Sequence, residues 1–128
     1  MAWLYLLVAG LLEIAWATGF KYARGLEWAL LLGNGLALLA LPFFGEPGGL
    51  WVRLATLAAM SASLVLLSVS LKSLPMGTAY AVWTGIGAAG TALVGMVWLG
   101  ESAHPLRLLF LAMIVVGLVG LKWVSADA

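Results

Sequence analysis

One carboxylate in the middle of an oily run constrains this chain more than any other feature. From Ala2 to Phe20 the sequence is apolar except for Glu13, and Lys21 and Arg24 close the run. A helix needs roughly 20 such residues to cross a bilayer, so Glu13 is expected near the membrane midplane. An acid there costs on the order of 3 kcal/mol and usually faces a bundle interior or a wet cavity. Loss of water disfavours its charged form, so a proton and a cation are expected to compete for it. The plainer reading is a protonated Glu13 that only hydrogen-bonds a neighbouring helix. Gly10, Glu13, Trp16 and Ala17 follow one another at spacings of three and four, which sets a small residue, an acid and an indole on one helix face.

Composition places the rest of the chain in the same solvent. Of 128 residues, 65% are hydrophobic and only 9% charged, against about 25% charged in a soluble domain. The expectation is a single all-α integral membrane domain over residues 1–128. A net charge of +1 without a basic run gives nucleic acid nothing to hold. The chain has no cysteine, which removes disulfides and thiolate metal sites. Neither a cofactor nor a metal is expected. The N-terminus lacks a basic n-region and Glu13 interrupts any h-region, so a cleaved signal peptide is not expected.

Four core helices are expected at about residues 2–20, 54–71, 78–99 and 106–123. Arg53 and Lys72 bound the second, along which Met60, Ser63, Leu67 and Ser70 form one stripe; their hydroxyls suit bonds between helices. Ser61 and Ser68 fall on another face and suit bonds to their own backbone. In the third, Tyr80, Trp83, Thr84, Gly87 and Thr91 make a polar and aromatic stripe. Gly85-Ile-Gly87-Ala-Ala-Gly90 matches a dinucleotide fingerprint, but that motif acts only between a strand and a helix. Inside a span it reads instead as a weak point, since each glycine lowers helix stability by about 1 kcal/mol relative to alanine. Glu101, His104 and Arg107 occupy the next loop; His104 reads as a surface residue that Glu101 is placed to pair with. Gly117 and Gly120 form a small-residue patch open to close helix approach.

Between the first two core helices lies Leu26–Gly49, apolar enough to span but interrupted by Gly33-Asn34-Gly35 and Pro42 and ending in the turn-like Gly45-Glu46-Pro47-Gly48-Gly49. Loop charge does not decide its path. Without a span, Lys21, Arg24, Arg53 and Arg107 face Lys72 and Lys122; with one, Lys21, Arg24, Lys72 and Lys122 face Arg53 and Arg107. Either way the bias is weak enough to permit insertion in both orientations.

Met1-Ala2-Trp3-Leu4, Gly10-x-x-Glu13-x-x-Trp16-Ala17 and Lys21-Tyr22 resemble the first helix of the small multidrug resistance family. Leu74-Pro75-Met76-Gly77-Thr78-Ala79-Tyr80-Ala81-Val82-Trp83-Thr84-Gly85-Ile86-Gly87 is similar to the signature of its third. Trp16, Thr78 and the Trp83–Gly87 string resemble its guanidinium exporter branch, as does Gly117-Leu-Val-Gly120-Leu-Lys122 at the end of the fourth helix. The resemblance covers Met1–Gly25 and roughly Leu50–Val124. It implies an antiparallel, dual-topology homodimer in a bacterial inner membrane, with four helices per subunit, that exports guanidinium and small guanidinyl cations in exchange for protons by alternating access. By the same resemblance Glu13 holds both ligands, Trp16 and Trp83 line the site, and Ser63 and Tyr80 orient the carboxylate. Gly85 and Gly87 match a bend, and Gly117 and Gly120 the dimer seam.

Guanidinium chemistry fits these residues. A flat, weakly hydrated cation with forked N–H groups pairs with a carboxylate and stacks on aromatic rings, and a desolvated cation–π contact contributes about 2 kcal/mol. The Leu26–Gly49 insertion departs from the family pattern. Hydropathy favours a span and family packing a membrane-associated segment outside the core; the second is the expectation. Three other readings compete: export of quaternary ammonium or aromatic cations, half of an obligate heterodimer, and an accessory membrane protein whose polar residues only join helices.

Overall fold

A computed structural model describes residues 1–22 and 47–126. They form four helices: α1 Ala2–Tyr22, α2 Pro47–Ser70, α3 Met76–Trp98 and α4 Pro105–Ala126. At 21 to 24 residues, each is about 31 to 36 Å long, enough for a hydrocarbon layer of about 30 Å. All four are apolar enough to cross a membrane. The expected insertion, Leu26–Gly49, lies outside the described residues up to residue 46.

Local chemistry sets the helix ends. Lys21 stands in the last turn of α1, where a cation meets the negative end of the helix dipole. Helix α2 begins at Pro47, so Pro47, Gly48 and Gly49, read from sequence as part of a turn, belong to the helix. Proline is at home in a first turn because the N–H it lacks would have no partner there. Pro75, extended at φ −56° and ψ 132°, precedes α3. At the other end of α3, the N–H groups of Leu99 and Glu101 both donate to the Gly95 carbonyl, at 3.1 and 3.0 Å. Gly100 makes that reversal with φ +69°, a conformation that costs glycine nothing. Helix α4 opens on Pro105, and His104 caps it by accepting the Leu106 N–H on Nδ1 at 3.3 Å.

Helix α1 is the centre of the subunit, packed along both α2 and α3. Against α2 it runs antiparallel: Gly19 lies beside Thr56, Ser63 Oγ donates to the Ala9 carbonyl at 2.8 Å, and Ser70 Oγ to the Ala2 carbonyl at 3.2 Å. Against α3 it runs parallel, with Gly10 on Ile86 and Gly90 on Ile14. A side chain at either glycine would meet the isoleucine at once, so the missing Cβ sets the helix separation. The chain therefore leaves α1 and enters α2 at the same end of the bundle.

Leu6, Ala9, Leu67, Ala79, Val82 and Trp83 make the small core. Helix α4 touches the rest through α3, with Leu118 on Gly85 and Thr78 Oγ1 3.2 Å from Ser125 Oγ. None of its described side chains is buried. In water so much bare apolar surface would mark an interaction face; in a bilayer lipid or another helix covers it.

Candidate functional site

Helices α1, α2 and α3 bring Glu13, Trp16, Ser63 and Trp83 together midway along the bundle. Trp16 lies one turn beyond Glu13, and its indole N–H donates to Glu13 Oε2 at 2.7 Å. Ser63, fully buried on α2, reaches the same oxygen at 3.4 Å. Trp83, 7% exposed on α3, donates its Nε1–H to Ser63 Oγ at 3.0 Å. A serine hydroxyl has one proton to give. Here it has two acceptors, the nearer Ala9 carbonyl at 2.8 Å and the Glu13 carboxylate. The hydroxyl thus links all three helices through one atom.

The carboxylate lies against backbone. A Cβ at Gly87 would collide with Glu13 Cγ, so glycine there lets the acid lie flat on α3. Oε2 carries both contacts, and Oε1 has no hydrogen-bond partner among the described residues. That oxygen is available to a proton or a cation. The edge of Trp16 meets Phe20, with ring centroids 5.2 Å apart and planes at 74°.

Tyr80 stands apart from the carboxylate. It is 54% exposed and tilts against Trp83 at 5.5 Å between centroids. Among the described residues its hydroxyl makes no hydrogen bond to Glu13. Gly85 and Gly87 lie within an uninterrupted α3 and receive Leu118 and Glu13 respectively. Gly117 and Gly120 meet nothing within 4 Å and face outward.

Several participants escaped the sequence reading. The α1 carbonyls of Ala2 and Ala9 accept the α2 serines, and Gly19 sets the helix spacing beside Thr56; Gly10 and Gly90 were named from sequence, but not their contacts with Ile86 and Ile14. Sequence shows a glycine but not the neighbour that needs it. In the α3–α4 loop, Glu101 pairs with Arg107 at 2.7 Å and not with His104. The Arg107 hydrogen bond holds the Glu101 carboxyl below its usual range; loss of water opposes it, and the charges of Arg107 and then Lys21 add to the lowering. A cavity of about 590 Å³ lies between α1, α3 and α4, with Glu13 not among its lining residues. No cluster of three His, Cys, Asp or Glu side chains suited to a metal occurs among the described residues.

Comparison with known sequences gives this arrangement its relatives. The pattern of the family described as "Small Multidrug Resistance protein" matches residues 39–114, more than half of the chain. A protein named guanidinium exporter from Escherichia coli O6:H1 is 48% identical over 122 residues, 95% of this chain and 96% of that protein. A guanidinium exporter from Yersinia pseudotuberculosis is 47% identical over 125 residues, 98% of this chain and 100% of its own length. One from Salmonella typhimurium is 46% identical over 122 residues, 95% of this chain and 96% of its own. With four apolar helices and a match of this extent, the chain is an integral membrane protein, a transporter and not an enzyme, and it belongs to the small multidrug resistance family.

Proposed function

We propose that this chain exports guanidinium and small guanidinyl cations from bacteria across the inner membrane, in exchange for protons. The carrying observation is the Glu13 carboxylate, bonded to an indole N–H through Oε2 while Oε1 stays open. Relatives at 46 to 48% identity bear the name guanidinium exporter, which supplies the cation. A guanidinium N–H can bond Oε1, and its flat face can lie on the neighbouring indole. A proton on the same group removes the charge that holds the cation. Binding of one ligand thus excludes the other, and exchange needs no second site. The Ser63 hydroxyl supports the ionised form when it turns from Ala9 to Oε2, and the Trp83 N–H on its oxygen restricts that turn.

Two copies inserted in opposite directions complete the transport unit. None of the described side chains of helix α4 is buried in the single subunit, and Gly117 and Gly120 on its outer face allow a second α4 to approach closely. Tyr80, 54% exposed beside Trp83 and without a hydrogen bond to its own Glu13 among the described residues, is available to the opposite subunit. Alternating access then exposes Glu13 to one side at a time, with Gly85 and Gly87 as the points where α3 bends.

Proteoliposomes holding a guanidinium gradient and an internal pH dye test the reading. The wild type moves protons against guanidinium flux, and Glu13→Gln reduces that movement to the rate of empty liposomes. Proton movement retained in Glu13→Gln overturns the mechanism. A response to tetraphenylphosphonium with none to guanidinium overturns the substrate.

A further inference from the structure

The 590 Å³ groove lies on the far side of α1 from Ser63. Trp3, Leu7 and Ile14 of α1, Ile86 of α3, and Val119 and Lys122 of α4 mark its course. Its walls are apolar except at one end. There the Lys122 ammonium stands 5.8 Å above the Trp3 ring, near the limit of a cation–π contact. At this end of the bundle no described carboxylate is present, since the described acids are Glu13 at mid-helix and Glu101 at the other end. The Lys122 charge therefore has no anionic partner among the described residues.

Three measures suit one kind of occupant. From Trp3 to Ile14 the groove rises about 16 Å along α1, about half of a 30 Å hydrocarbon layer. It thus runs from the membrane surface to the midplane and spans one leaflet. Its cation sits at the surface end, beside a tryptophan, where headgroups lie. Its open side is bordered by exposed Leu4, Leu7 and Val119, which places it toward lipid. Residues 115, 118, 119 and 122 lie on the groove face of α4, whereas Gly117 and Gly120 lie on the opposite face by helix geometry. Pairing of two α4 helices through those glycines leaves the groove uncovered.

We propose that this groove is a binding site for an anionic phospholipid, one acyl chain lying between α1, α3 and α4 and the phosphate on Lys122. The lipid fills the space beside α4 that the protein leaves empty, and so braces α4 against α1, which it scarcely touches. The inner end stops at Ile14, the neighbour of Glu13, held over Gly90. The chain end of the lipid therefore abuts the helix that carries the transport carboxylate.

Native mass spectrometry of the full-length protein, released from nanodiscs of equal phosphatidylglycerol and phosphatidylcholine, tests the site. The wild type retains phosphatidylglycerol in preference. Lys122→Gln lowers the preference about fivefold, the effect of one lysine near an anionic surface. Lys72→Gln, a cation at the same end but outside the groove, leaves it unchanged. Ala89→Phe, which fills the groove floor, removes the retained lipid of either kind. Equal retention of the two lipids by the wild type, an equal loss in Lys72→Gln, or no loss in Lys122→Gln overturns the proposal. So does efficient disulfide formation between two Val115→Cys chains, which would mean that a second copy occupies the groove.

Discussion

Ser63 shows how much one hydroxyl does at mid-membrane. It accepts the buried Trp83 N–H and donates to α1, so its removal orphans a donor that no water reaches. Ser63→Ala is expected to lower stability in detergent by about 1 kcal/mol. Adding Trp83→Phe should restore part of that loss, because the orphaned N–H goes with it. Thermal melts of the two single variants and the double variant check this; strict additivity would mean that the two side chains act separately. Spacing on α1 made the Glu13–Trp16 pair legible from sequence, and family resemblance supplied Ser63 and Trp83. The competing Ala9 acceptor was not legible. A backbone carbonyl inside a helix carries no sequence mark, and only the antiparallel register of α2 brings Ser63 to it.

Among the elements, the spans themselves were the most readable feature, because apolar length alone specifies a helix in lipid. Their ends were less so. The loop from α3 to α4 offered Glu101 two partners at close spacing, His104 and Arg107. The left-handed turn at Gly100 brings Glu101 back over Gly95, where its carboxylate meets the guanidinium, while His104 is taken up in capping α4. Because Glu101 titrates below its usual range, the pair is intact above the ordinary carboxylate range and is lost as pH falls through the depressed value. Both side chains are more than a third exposed, so salt screens the effect. A side-chain carboxyl NMR titration should place Glu101 below free glutamate, and Arg107→Gln should raise it toward the usual range. An unchanged midpoint in Arg107→Gln would assign the depression to another charge.

For the whole molecule, the antiparallel contact of α1 with α2 sets which helix ends share a side of the bundle. Tyr22 and Trp51 belong to the same end of the bundle, and the turn at Leu71–Pro75 to the other. With insertion biased to one orientation by a C-terminal fusion, cysteines at Tyr22 and Trp51 are expected to react with an impermeant maleimide from one side, and a cysteine at Ser73 from the opposite side. Labelling of Tyr22→Cys and Trp51→Cys from opposite sides would show that the chain crosses once between them. Apolar runs could not decide this, because they report affinity for lipid and not direction of travel. The sparing attachment of α4 has its own consequence. Lipid tails compete for its surface on equal terms with other helices, so assembly of the proposed two-copy unit would follow mass action in two dimensions. Membrane area per subunit, as much as sequence, then sets how many exporters a cell has working at once.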